Sequence, residues 1–171
     1  MTPDIHITRK TFSALSAQDL AAWRALMTDD PQRQRAFLSP DFCAAAETAY
    51  ARPVAVVMVH QRADARLVGV LPVQARASLV GTLGVYEPVA GVMNDYFGLL
   101  AAPELRVSPE RLLASGGIGC IDFSHLDETQ ARHGLGGEAP RIGLRGMVAK
   151  AALSAHWRWQ RRAAGTMNGP T

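Results

Sequence analysis

Cysteine is scarce: Cys43 and Cys120 are the two in 171 residues, and neither has a second thiol or a histidine at the short spacings that zinc ligands favour. That excludes a disulfide-stapled scaffold and a zinc finger, and makes reduced, partly buried thiols in a cytoplasmic protein the expectation. Long apolar runs are lacking as well. The longest, "PVAVVMV" at Pro53–Val59, falls far short of the roughly 20 residues of a membrane span, and the opening "MTPDIHITRK" has no apolar core of signal-peptide length. Neither an export signal nor a transmembrane segment is expected. The sequence also lacks a Walker-type Gly-Lys-Ser/Thr loop, a His-Glu-x-x-His metal helix and a Gly-x-Ser-x-Gly nucleophile elbow. Its five histidines, His6, His60, His125, His133 and His156, are scattered, so no metal site is expected from spacing.

With 48% hydrophobic residues and 19% charged ones, the chain can bury one core of ordinary size, which predicts one globular domain over residues 1–140. Charge separates the rest. Residues 1–140 hold 12 Lys or Arg against all 15 acids, a net −3, whereas residues 141–171 hold 6 bases and no acid, a net +6. This end reads as a basic helical tail or interdomain segment, either a helix that packs on a partner or an arm for an anionic surface. In "LRGMVAKAALSAHWRWQRRAAG", Leu144, Val148, Ala151, Ala155 and Trp159 form one apolar stripe, with Arg158 and Arg162 beside it. Self-association or docking through 141–171 is the expected use; nucleic acid is not an expected partner.

The remaining elements alternate. "HITRKTF" reads as an edge strand. "SAQDLAAWRALM" is a helix with Ser16 as N-cap, Asp19 at the capping-box position, and Leu20, Trp23, Leu26 and Met27 on one face. "SPDFCAAAETAYA" repeats the logic, with Ser39 as cap, Pro40 at the first position and a stripe of Phe42, Ala46 and Tyr50. "PVAVVMVH" and "RLVGVLPVQ", joined by "QRADA", predict a central hairpin apolar on both faces, whose second strand should end at Pro72 or run along an edge. "ASLVGTLGVYEPVAGVM" reads as one or two strands broken at Gly81, Gly84 and Pro88. "SPERLLAS" is a short helix capped by Ser108 with Pro109 first, and "IGCIDF" is a buried strand. The mixture predicts an α+β fold with a central, largely antiparallel sheet flanked by helices.

The order of "AAWRAL", "FLSPDF", "LVGVLPV", "NDYFGLL" and "RLLASGGIGCIDFSHL" resembles the N-terminal half of the CelD/BcsL-type acetyltransferases of cellulose biosynthesis, over about Leu15 to Leu135. The resemblance implies a fold of the GNAT (Gcn-five-related N-acetyltransferase) type, and two such halves in a complete enzyme, the second carrying the acyl-CoA machinery. It further implies that this chain is the substrate-side half of an acyl-CoA-dependent N-acyltransferase linked to cellulose or exopolysaccharide biosynthesis. Such a half would be incomplete as an enzyme alone. Acetyl-CoA or another acyl-CoA is implied for a complete member, a second GNAT half as partner, and a small amine or sugar as acceptor.

Enzymes of this class hold the cofactor pyrophosphate on backbone N–H groups in a loop that follows a strand and opens a helix. Here "QARHGLGGEAP" misses the spacing, since Gln130 is one residue too far from Gly134 and Arg132 one too near. Gly134 reads instead as a left-handed helix cap, and "SGGIGC" as a turn. No cofactor is therefore expected on this chain, and no catalytic residue is assigned. Asp122, Ser124 and His125 hold the three residue types of a catalytic triad, but too close along the chain for a relay, and Ser124 reads as a cap. The candidate substrate-binding residues are Asn94, Asp95 and Tyr96 in "MNDYFG". Two readings stand. Either Asn94 and Asp95 accept local backbone hydrogen bonds while Tyr96 and Phe97 pack inward, or Asp95 and Tyr96 face a cleft and hydrogen-bond an amine or sugar. A non-catalytic assembly protein that docks through its basic end is the alternative to the half-enzyme, and a self-sufficient small acyltransferase with a degenerate loop is the third.

Overall fold

The computed structural model describes residues 4–28, 35–77, 79–94, 96–123, 126, 128–135 and 156–159. Strand β1, Ile5–Thr11, pairs antiparallel with β2, Val54–Gln61, and β2 with β3, Leu67–Ala75. On its far side β3 pairs with β4, Val85–Pro88, and with the two-residue β5, Leu100–Ala101. The last two strands are parallel additions: β6, Cys120–Phe123, beside β4, and β7, His156–Trp159, beside β6. The sheet of seven strands runs β1-β2-β3-β4-β6-β7, with β5 beside β3. This is the expected α+β arrangement with a mostly antiparallel sheet.

Helix α1, Ala17–Thr28, begins where the sequence places it because the capping box closes. The Ser16 Oγ accepts from the Asp19 N–H at 3.1 Å, and the Asp19 carboxylate accepts from the Ser16 N–H at 2.9 Å. Helix α2, Pro40–Tyr50, starts at Ser39, whose Oγ accepts from the Phe42 N–H, and α4, Pro109–Ser115, starts at Ser108 in the same way. A single turn, α3, spans Leu79–Thr82.

Adjacent residues of β1 show how the layers stack. Lys10 pairs with Asp19 of α1 at 2.8 Å, while Arg9 donates to the Gly117 carbonyl just after α4. Neighbouring side chains on a strand point to opposite faces, so α1 and α4 cover opposite faces of the sheet. The hairpin between them is buried on both, which is why β2 and β3 read as unbroken apolar runs: Val56, Val57, Met58, Val59, Val70 and Leu71 are all fully buried. Trp23 anchors α1 in the core and donates its indole N–H to the Leu38 carbonyl at 3.0 Å.

Four expectations are corrected. Pro72 neither ends β3 nor sits on an edge; it lies inside the strand, opposite Val56. Arg76 N–H donates to the Val85 carbonyl and the Val68 carbonyl accepts from Ala102, so the even-numbered backbone groups of β3 face β4 and β5. Pro72 falls between the residues that pair with β5 and those that pair with β4, where its missing N–H costs no ladder bond. Second, the stretch at 79–84 is not strand: Arg76 N–H donates to the Val85 carbonyl, and the chain returns through α3 and Gly84, at φ +80°. Third, α2 buries Pro40, Cys43 and Ala46, while Phe42 is partly buried and Tyr50 exposed. Fourth, the expected helix over the basic end lies outside the described residues except at His156–Trp159, which is a strand. The edge of β6 offers unpaired backbone groups, and "HWRW" carries the aromatic residues that strands favour.

Candidate functional site

The segment that follows β4 turns under its own side chains. Asn94 is buried; its amide donates to the Val89 carbonyl at 3.1 Å, and its Oδ1 accepts from the Tyr96 N–H at 3.0 Å. Asn94 is thus a turn residue with both ends of its amide committed to backbone, as the first of the two sequence readings holds. Phe97 packs inward against Phe123, with ring centroids 5.0 Å apart. Tyr96 does not: it is 44% exposed, with the Arg35 guanidinium 4.6 Å over its ring and Phe37 at 6.1 Å. Asp95 lies outside the described residues.

Past Tyr96 the chain enters a clamp. Leu99 is buried between strands, and its backbone bonds are taken by a side chain: Gln130 Oε1 accepts from the Leu99 N–H at 2.8 Å, and Gln130 Nε2 donates to the Leu99 carbonyl at 3.2 Å. The amide thus imitates a strand partner. Gly98 is what admits it, since a Cβ there would lie 2.6 Å from the Gln130 amide carbon. Gln130 is carried by a short 3₁₀ helix, Glu128–His133, that ends at Gly134 with φ +88°. Two further side chains of that helix, Arg132 and His133, form a second fixed pair. A carbonyl can only accept, so His133, with Nδ1 at 2.9 Å from the Leu105 oxygen, carries its proton there, and its Nε2 accepts from Arg132 Nε at 3.1 Å.

Together these groups bound an open cleft. Arg35, Tyr96, Gly98, Thr129, Gln130 and Arg132 supply its polar rim and wall, and Leu38, Phe97, Leu100 and Ala101 its apolar floor. Its volume out to the mouth is about 370 Å³, of which about 20 Å³ can take the centre of a water molecule. It can therefore enclose a small polar group but not a whole sugar ring, which would lie across the mouth. Of the two candidate residues that are described, Asn94 and Tyr96, the structure brings Tyr96 to this cleft. Sequence reasoning missed Arg35, Gln130, Arg132 and His133 as its other walls. The signal was "QARH", weighed there only as a phosphate loop.

The glycine clusters are turns. In the first, Gly116, Gly117 and Ile118 donate to carbonyls of α4, and Gly119 and Cys120 to Gly84. In the second, Gly134 donates to Ala131 and Leu135 to Gln130. Every one of these N–H groups is spent on the protein's own carbonyls. Helix α4, the crossover between the parallel strands β4 and β6, begins with Pro109, which has no N–H, and Glu110, whose charge opposes an anion. Among the described residues of these places no row of free N–H groups is left for an anion. A second polar row, Arg52–Glu87 at 2.8 Å and Arg76–Asp122 at 2.6 Å, is balanced in charge, and it takes up the Asp122 carboxylate; Ser124 and His125 lie outside the described residues. Cys43 is buried and free, its thiol pushed up to about 12 chiefly by burial and also by Glu47. Among the described residues no cluster of three or more His, Cys, Asp or Glu is placed to hold a metal ion, and no helix is long and apolar enough to cross a membrane. Compared with models of known protein families, with curated proteins and with solved structures, the chain matches none.

Proposed function

We propose that this chain is a GNAT-like, acceptor-side half of an acyl-CoA-dependent N-acyltransferase acting in cellulose or exopolysaccharide synthesis, and that it binds the acceptor rather than the acyl donor. One observation carries the reading. In a mostly antiparallel sheet, β4 and β6 are parallel and joined by a crossover that contains α4, after a strand, two helices and a hairpin. This order of elements supports the reading drawn from the sequence resemblance. The cleft lies between residues 96–101 of this crossover and the Gln130 helix that follows β6, with polar walls over an apolar floor.

The chemistry assigned to this half is binding and orientation. In a complete enzyme the acceptor amine loses its proton to a carboxylate or water and attacks the thioester, with backbone N–H groups stabilising the oxyanion. No residue here is assigned to those steps. A second acyltransferase half supplies the donor site, and a cytoplasmic location suits the two free thiols. The competing docking role for 141–171 loses His156–Trp159, which pair within the chain's own sheet.

Amide-resolved magnetic resonance with glucosamine, its phosphate monoester and glucuronate tests the reading. Saturable shifts at Tyr96, Gly98 and Leu99 with at least one of them are expected. If none of the three perturbs the cleft, the acceptor assignment is wrong.

A further inference from the structure

The cleft's charge narrows what it can accept. The charged side chains described along its wall, Arg35 and Arg132, are both cationic, and its other polar walls are neutral. Arg132 is the informative one. It is half-buried, and among the described residues its guanidinium makes no ion pair; its Nε is fixed on the buried His133, which is itself fixed on the Leu105 carbonyl. A guanidinium held at Nε keeps its two terminal nitrogens on the far edge, in the fork that matches a carboxylate or phosphate. The Gln130 amide beside it is held at both ends by the Leu99 backbone. The space open to the centre of a water-sized group, about 20 Å³, admits one compact group.

We infer that the cleft binds the anionic group of its ligand, a carboxylate or phosphate monoester, through the Arg132 fork oriented by His133, with the rest of the ligand across the mouth beside Tyr96. The inference rests on the acceptor reading above and adds a class to it: an amine or sugar that also bears a negative charge. A bare amino sugar brings a cation toward the Arg132 guanidinium and is disfavoured.

The test uses the full chain, titrated in parallel with inorganic phosphate, glucosamine, glucosamine phosphate and glucuronate, and followed at the Arg132 Nε–H resonance and the Leu99 amide. Saturable shifts with phosphate, the phosphate ester and glucuronate, and at least tenfold weaker binding of glucosamine, are expected. Binding should weaken with salt. Arg132→Gln should lower affinity for the anions at least tenfold. Arg132→Lys keeps the charge but loses the fork and should fall between; its folding is checked by its amide spectrum. Equal binding of glucosamine and its phosphate overturns the anion assignment and leaves the acceptor reading standing. Shifts with inorganic phosphate but with no sugar support the anion site and sink the acceptor reading. Absence of any response to the three anions, or anion binding unchanged in Arg132→Gln, overturns the inference.

Discussion

Asp19 shows how much one side chain can be asked to do. It closes the capping box of α1, holds Lys10 and sits beside the β1–β2 ladder, where His6 and His60 stand directly opposite each other. Hydrogen bonding to Lys10, then to the Ser16 N–H, pulls its carboxyl from the ordinary 3.8 down to about 2. A depressed acid stabilises the fold above its unfolded value and loses that contribution as pH falls to its folded one. Wild type should therefore be more stable than Asp19→Asn above about pH 4, and the difference should vanish toward about pH 2. His60 acts higher. Burial lowers it from 6.5, with His6 and Lys10 adding to the shift and Asp19 opposing it, so the folded state favours the neutral ring. Stability is lost as pH falls below about 6.5, and His60→Gln should abolish that part. Melting curves of the three proteins across pH 2–8 check both; parallel curves would refute them. Ser16 and Asp19 were legible in the sequence because cap and partner lie three residues apart. His60 was not, because its surroundings are assembled by β1 and α1.

At the scale of elements the same division holds. The caps at Ser39 and Ser108 and the hairpin between β2 and β3 follow from local chemistry and appear where the sequence puts them. What was illegible is long-range. Gln74 donates to the Arg52 carbonyl and accepts from the Ala90 N–H, and Gln130 serves Leu99 from 31 residues away. Nothing in a glutamine's neighbours announces that its amide will stand in for a strand. Pro72 misled for a related reason: its tolerance depends on where β4 and β5 leave a gap. Gln130→Ala removes both partners of the buried Leu99 backbone at once, and leaving such groups unpaired should cost roughly 2 kcal/mol or more. Urea unfolding measures it. A variant as stable as wild type would mean that the clamp contributes nothing net. Gly98 shares the dependence, since any side chain there must first displace Gln130.

The described residues form a set of antiparallel strands to which a parallel crossover has been added, and the cleft lies between that crossover and the helix that follows β6. The α+β class was legible from periodicity and capping. The location of a site was half legible, since "MNDYFG" leads to the cleft through Tyr96 but Asn94 turns out to be its scaffold. The walls come from Arg35 and the 130–133 helix, which only the fold brings together. The central claim is a division of labour: acceptor here, acyl donor elsewhere. Calorimetric titration of the full chain with acetyl-CoA tests it most directly, because the N–H groups of residues 116–120, Gly134 and Leu135 are spent on the chain's own carbonyls and α4 is headed by proline. The account predicts no saturable heat in the micromolar range, whereas a low-micromolar dissociation constant, about −8 kcal/mol, would contradict it and make this chain a donor-binding acyltransferase in its own right.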